Sequence, residues 1–290
     1  MTRFAIAGIQ QHLSAAEPNL KRMSAKLDEL MTTFPWVQMV VFSELAAYGP
    51  SLKHAQAIDG PVEETFRSWA RKHGIWLLPG STFERAEDDG IYNMSCVINP
   101  SGEVVCRYRK MFPFRPYEVG VEAGDGFAVF DVPEVGRFGV SICYDMWFPE
   151  TTRTLASLGA EVILHPTMTG TIDRDVELSI ARASAAQNQC FFFDINGLGD
   201  GGCGRSIIVG PDGDVLHEAG TSPQLMPLEI DLDRVRHSRE RGLLGLGQTL
   251  KSFRDRRVQF DVYAKDPRTT EYLDTLGPLE KPSRTLQQGK

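Results

Sequence analysis

Two well-separated stretches of this chain spell nearly the same turn. Val97-Ile-Asn-Pro-Ser-Gly-Glu-Val-Val105 matches Ile208-Val-Gly-Pro-Asp-Gly-Asp-Val-Leu216 almost position for position. A Pro-x-Gly turn between β-forming runs predicts a hairpin. What precedes each turn also recurs. In the first half the patterning predicts a strand over 3–10 and a helix over 19–30, with Leu20, Met23, Leu27 and Leu30 on one face. A strand over 37–43, a helix over 61–73 stopped by Gly74, a strand over 75–78 and a hairpin of 93–98 with 103–108 follow. In the second half, Arg137-Phe-Gly-Val-Ser-Ile resembles Arg3-Phe-Ala-Ile-Ala-Gly and opens a strand over 138–142. Next come a helix over 149–158, a strand over 161–164, a helix over 177–187, a strand over 191–195 and a hairpin of 206–209 with 214–217. Two alike β-rich halves, each burying one sheet face against the other, make an α/β fold of four layers, an αββα sandwich. The unbroken apolar runs Met39–Phe42 and Val162-Ile-Leu164 suit strands covered on both faces.

Composition narrows the setting. A chain of 290 residues, 42% hydrophobic and 24% charged, fits a globular protein with a sizeable core. A net charge of -7 argues against nucleic acid and anionic membrane surfaces as partners. No apolar run nears the ~20 residues that span a bilayer, and Phe4-Ala-Ile-Ala-Gly-Ile9 is too short for a signal-peptide core. Five dispersed cysteines, an odd number, point to reduced thiols and a cytoplasmic location. Without a Cys-x-x-Cys pair, and with six scattered histidines, no metal site is expected. After Asp233 the chain turns charged, then Gly/Leu-rich, then aperiodic with scattered prolines. This predicts one domain over 1–262 and a C-terminal arm over 263–290 that packs on a partner subunit, making a homo-oligomer.

Chemistry gathers at predicted strand ends, where α/β sheets form their sites. Cys143 lies between a strand and the helix opened by Pro149-Glu150. A helix N-terminus favours thiolate, the nucleophilic form, although most free cysteines are small core hydrophobes. Glu44 directly follows the apolar run 37–43, so desolvation is expected to raise its pKa toward that of a general base. Lys110 ends the first hairpin beside the apolar wall Met111-Phe-Pro-Phe114, where a fixed cation would serve a thiolate and an oxyanion. Glu118 stands just behind that wall. Taken singly, Glu44 and Glu118 read as surface carboxylates and Lys110 as a solvated charge.

Together, Phe42-Ser-Glu44-Leu, Tyr108-Arg-Lys110 and Ser141-Ile-Cys143-Tyr-Asp-Met-Trp-Phe-Pro-Glu150 closely resemble the three signatures of the nitrilase superfamily of carbon–nitrogen hydrolases, over about residues 3–250. The resemblance implies an αββα sandwich, a Glu44–Lys110–Cys143 triad, Glu118 as a second acid, and no metal or organic cofactor. In the mechanism that follows, Cys143 attacks a carbonyl carbon, Glu44 moves protons, and Lys110 with the Tyr144 N–H holds the oxyanion. Tyr48, Phe114, Tyr117, Trp147, Thr167 and Met168 are the expected substrate-binding residues, by their places after strand ends. They suggest a small, partly aromatic pocket for a short amide. An N-carbamoyl amine or amino acid and a small nitrile are the alternatives. The first would call on a cation or an acid for the far end of the substrate, with Arg115 and Arg174 as candidate cations. Asp145 and Glu150 read as structural, Glu150 as a helix cap or partner of Arg153. His165 reads as packing, with a Cys–His dyad as the alternative. Two readings from other classes are a non-catalytic binding subunit and a glycosidase using Glu44 and Glu118.

Overall fold

The computed structural model describes residues 1–263 and 271–281. Its first sheet carries, edge to edge, strands Gln224–Asp231, Arg3–Gln10, Met39–Phe42, Trp76–Leu78, Ile91–Ile98 and Thr82–Arg85, with Val104–Arg109 also paired to Ile91–Ile98. The second runs Val215–Glu218, Ile207–Val209, Phe191–Asn196, Val162–Thr167, Gly136–Val140 and Ala128–Val132. Helices Leu20–Thr33 and Pro61–His73 cover the outer face of the first sheet; Pro149–Ser157 and Arg174–Asn188 cover that of the second. The architecture is the expected αββα sandwich.

The repeat is visible in detail. Both hairpins are antiparallel, and both slip register at the same place, between Val97 and Ile98 and between Ile208 and Val209. Their turns end on glycines in the left-handed region, Gly102 at φ 82° and Gly213 at φ 78°. In these two sheets three strands lie outside the sequence-based reading. Two of them, Ala128–Val132 and Gln224–Asp231, take equivalent places: each pairs antiparallel with the strand that opens one of the two halves, Gly136–Val140 and Arg3–Gln10. The third, Thr82–Arg85, extends the hairpin edge of the first sheet. All three pair antiparallel at a sheet edge and lack the long apolar run of the central strands.

Strand alternation explains the layers. Met39 and Val41 face the central core with Phe138, Val140, Leu164 and Phe193, whereas Val40 and Phe42 face Met23, Leu27 and Phe66. In the second sheet, Val162 and Leu164 point inward while Ile163 packs outward on Leu155, Leu178 and Ala181. The sheets approach closely at Gly8, where a Cβ would stand 2.4 Å from Ile195 Cδ1. Among the described residues no helix is long and apolar enough to cross a membrane.

The predicted arm lies only partly within the described residues. Just before it, helix Thr249–Arg254 and the aromatic residues Phe253 and Phe260, with Tyr263 at the start of the arm, run beside helices Pro149–Ser157 and Arg174–Asn188. The Tyr263 hydroxyl donates to Glu150 Oε1 at 2.6 Å. Glu150 therefore holds this C-terminal segment, and Arg153 stacks over Phe253.

Candidate active site

Glu44, Lys110 and Cys143 come from three separate segments and meet between the sheets. Glu44 follows the strand Met39–Phe42, and its N–H donates to the Thr167 carbonyl at 3.2 Å, tying the two sheets together. Gly80 makes room for this turn: at φ 83°, a Cβ there would lie 1.9 Å from the Ser43 carbonyl oxygen. Lys110 follows the strand Val104–Arg109, held by its N–H on the Asn93 carbonyl at 2.8 Å. Both side chains are 1% exposed.

The Lys110 ammonium donates to Glu44 Oε1 at 2.9 Å and to Glu118 Oε2 at 3.0 Å. Glu44 Oε1 also accepts from Asn93 Nδ2 at 2.7 Å. Glu118 is fixed in turn by the Phe114 N–H. Burial opposes the Lys110 charge, but Glu44, the Cys143 sulfur and Glu118 outweigh it and hold the ammonium above its ordinary pKa. Burial pushes the Glu44 carboxyl up, against the pull of Lys110 and with the help of Glu118.

Cys143 opens a short 3₁₀ turn, Cys143–Trp147, and sits in the left-handed region at φ 46°. A side chain bears strain there, and the geometry aims Cys143 at the pocket. Asp145 maintains the turn: it accepts from the Ile142 N–H at 2.8 Å, the Phe112 N–H at 2.9 Å and the Tyr108 hydroxyl at 2.6 Å. The expected thiolate is not the resting state. Burial, followed by the Glu44 charge, pushes the Cys143 thiol well above its ordinary value, against Lys110. The long helix begins only at Pro149, so its dipole acts from a distance.

Cys143 forms part of a pocket of about 370 Å³, counting its mouth. Phe114, Tyr144, Trp147 and Met168 line it, joined by Thr169, Asp173 and Glu177, which sequence reasoning missed. Thr169 carried a weak signal, its place just past a strand end; Glu177 reaches the pocket only through the packing of its helix. Asn93 was also missed, because its role arises across strands. Three other expected residues stand elsewhere. Tyr48, carried off by the turn at Leu45 (φ 50°), stacks on His54 and lines a separate recess with Val62 and Phe66. Tyr117 is 53% exposed and stacks on Phe114. Thr167 is buried in its strand, where it supports the Glu44 backbone.

His165 is fully buried, and its Nδ1 lies 2.7 Å from Ser141 Oγ. Burial lowers its pKa to about 3, so it is neutral, and it bonds Ser141 rather than the Cys143 sulfur. The Cys–His dyad does not form. Neither candidate cation is free: Arg115 donates to the Glu118 and Val121 carbonyls, and buried Arg174 holds Glu177 at 3.1 Å and Asp194 at 2.8 Å. Among the described residues, no three His, Cys, Asp or Glu side chains are gathered as metal ligands.

The site is thus a buried acid–ammonium–acid array beside a strained thiol, a set suited to acyl transfer through sulfur. Residues 3–240 match the carbon-nitrogen hydrolase family. The deaminated glutathione amidase of Dictyostelium discoideum is 32% identical over 213 residues, covering 66% of this chain and 72% of the relative. The human omega-amidase NIT2 is 28% identical over 286 residues, covering 91% and 98%. Among solved structures, Saccharomyces cerevisiae Nit3, of branch 10 of the nitrilase superfamily, superposes with a TM-score of 0.76 at 26% identity, covering 82% of this chain and 94% of that one. The chain belongs to the carbon–nitrogen hydrolase family, the nitrilase superfamily.

Proposed function

We propose that this enzyme hydrolyses the C–N bond of a small linear amide through a Cys143 thioester, releasing ammonia and a carboxylic acid. The observation that carries the reading is the buried Lys110 ammonium, bonded to Glu44 and Glu118, with the Lys110 and Glu44 charges both acting on the Cys143 sulfur. As the carbonyl carbon approaches, Glu44 takes the thiol proton and Sγ attacks. The oxyanion is held by the Lys110 ammonium and the Tyr144 backbone N–H. Glu44 returns the proton to the leaving nitrogen, ammonia departs and the thioester remains. Glu44, with Glu118 alongside, then draws a proton from water; the hydroxide adds to the thioester, and the acid leaves as Cys143 regains its hydrogen.

The raised pKa values of Glu44 and Cys143 suit this cycle. The Glu44 charge opposes ionisation of the Cys143 thiol, whose hydrogen bond in turn favours the Glu44 carboxylate, so the pair keeps one proton until substrate arrives. Both amidase relatives support an amide over a nitrile.

The test is ammonia release across a panel of amides, ureas and nitriles, with Cys143→Ala compared against Cys96→Ala and Cys106→Ala. Full turnover by folded Cys143→Ala would overturn the assignment. A trapped acyl adduct on Cys143, found by mass, would support it. The same reading places the enzyme in the cytoplasm, consistent with five free cysteines. It treats 1–262 as the catalytic domain and the arm beyond as a contact between copies, supported by exposed Tyr272, Leu276 and Leu279. Light scattering of a chain truncated after 262 tests the arm.

A further inference from the structure

Because ammonia is the leaving group in the proposed reaction, everything else the pocket holds is the acyl part of the substrate. The pocket wall that receives it is acidic. Glu177 and Asp173 both line it, and among the described residues no Lys or Arg does. Behind the wall, the one guanidinium of Arg174 is shared between two carboxyl groups, Glu177 and Asp194, and so is not available to a substrate anion. Lys110 offers no compensation, since it is held between Glu44 and Glu118. Lys281 lies over the Tyr117 ring at 5.0 Å, outside the lining.

The hydrogen bonds within the wall are also oriented. Thr169 gives its hydroxyl proton to Glu177 Oε1 at 3.0 Å, and Trp147 Nε1 donates to the same oxygen at 3.4 Å. Thr171 donates to Asp173 Oδ2 at 3.2 Å. Three of the wall's donors are therefore committed to carboxylates. The Thr169 oxygen, in a residue 7% exposed and 3.9 Å from Cys143 Sγ, is left as an acceptor beside the reacting sulfur. A carboxylate at this wall would meet like charge and lone pairs; an ammonium or N–H would meet acceptors in a focused negative field.

We propose that the acyl pocket selects substrates whose chain carries a hydrogen-bond donor, an ammonium or an N–H as in an N-carbamoyl amine, and rejects chains ending in a carboxylate. This rests on the amide-hydrolysis reading and names its substrate class. It also distinguishes the carbamoyl alternatives: the amine form fits the wall, and the amino-acid form does not.

Three probes of equal chain length test it: pentanamide, 5-aminopentanamide and glutaramate. In kcat/KM for ammonia release, 5-aminopentanamide should exceed pentanamide by about tenfold, and glutaramate should fall about tenfold below it. Titration calorimetry on Cys143→Ala should give the same order of affinities without any turnover. Asp173→Asn and Glu177→Gln should each shrink the amine-to-neutral ratio severalfold; the first, at a partly exposed position, is the safeguard should the second misfold. Glutaramate bound or cleaved as well as pentanamide overturns the proposal, as does absence of 5-aminopentanamide binding at millimolar concentration. If the affinities hold but no probe releases ammonia, the hydrolytic reading fails and the pocket preference stands. If ammonia is released but the order reverses, the preference alone fails.

Discussion

The Tyr108 hydroxyl donates a hydrogen bond to Asp145 Oδ2 at 2.6 Å, and this bond joins the strand leading to Lys110 to the turn presenting Cys143. Both residues are buried, and Asp145 also holds the N–H groups of Ile142 and Phe112. Tyr108→Phe leaves a buried carboxylate oxygen short of a donor, which should cost about 1–3 kcal/mol in urea unfolding. Asp145→Asn places an amide N–H where acceptors are required. Misplacement of about 1 Å costs on the order of a hundredfold in rate, so kcat should fall by that order while the thiol remains present. Retention of full kcat would mean the turn is held by other contacts.

The thiol titration should respond to Glu44. The Glu44 charge helps raise the Cys143 pKa, so Glu44→Gln should make the thiolate absorbance near 240 nm appear at lower pH than in the wild type. Amide hydrolysis should nevertheless drop at least about a hundredfold, because the proton carrier is gone. Cys96 and Cys190, pushed up to about 12 by burial, should contribute nothing to that absorbance near neutral pH.

The acid limb of kcat/KM should lie above pH 4.5, the ordinary value for glutamate, because burial raises Glu44 and the base works only when ionised. Activity is therefore lost as pH falls through the raised pKa. A limb at or below 4.5 would contradict a desolvated base. A full pH profile of ammonia release decides.

His165 should make the fold acid-sensitive. Its pKa falls from 6.5 to about 3 on burial, so unfolding takes up a proton between those values. Its stabilisation is complete above pH 6.5 and disappears as pH drops through 3, a span of about 4–5 kcal/mol. Asp145, raised by burial to about 6, has the opposite slope, because its folded state holds a proton that the unfolded state releases. The stability difference between wild type and His165→Gln isolates the histidine, since Asp145 is common to both. That difference should shrink as pH falls from 6.5 to 3.

Removing Arg174 should be severe. Arg174→Met strands Glu177 and Asp194, both buried and both already raised by desolvation. The expected loss is about 3–5 kcal/mol in chemical denaturation. A loss below about 1 kcal/mol would show that the two carboxylates take up protons without consequence.

Local order and patterning decided the layers, the repeat and the three chemistry-bearing segments. The helix Pro61–His73 ends at Gly74, as its spacing predicts, because Pro at the start and a left-handed glycine at the end act within a few residues. Met39–Phe42 reads as a doubly covered strand because apolar side chains occupy both of its faces. Glu44, Lys110 and Cys143 were legible only together, through the resemblance of their three segments to the family signatures, since each alone reads as a surface charge or a core thiol. The edge strands Ala128–Val132 and Gln224–Asp231 were not, since a strand paired on one side needs no continuous apolar run.

Tertiary structure alone decided what lies opposite what. The acidic wall exists because helix Arg174–Asn188 packs so that Glu177 reaches Thr169, two residues whose spacing in sequence signals nothing. The protonated resting thiol is likewise a product of the fold. Local sequence offered Cys143 a helix start that favours the anion; burial beside Glu44 reversed that preference, because desolvation and a like charge act through space and leave no local sequence pattern.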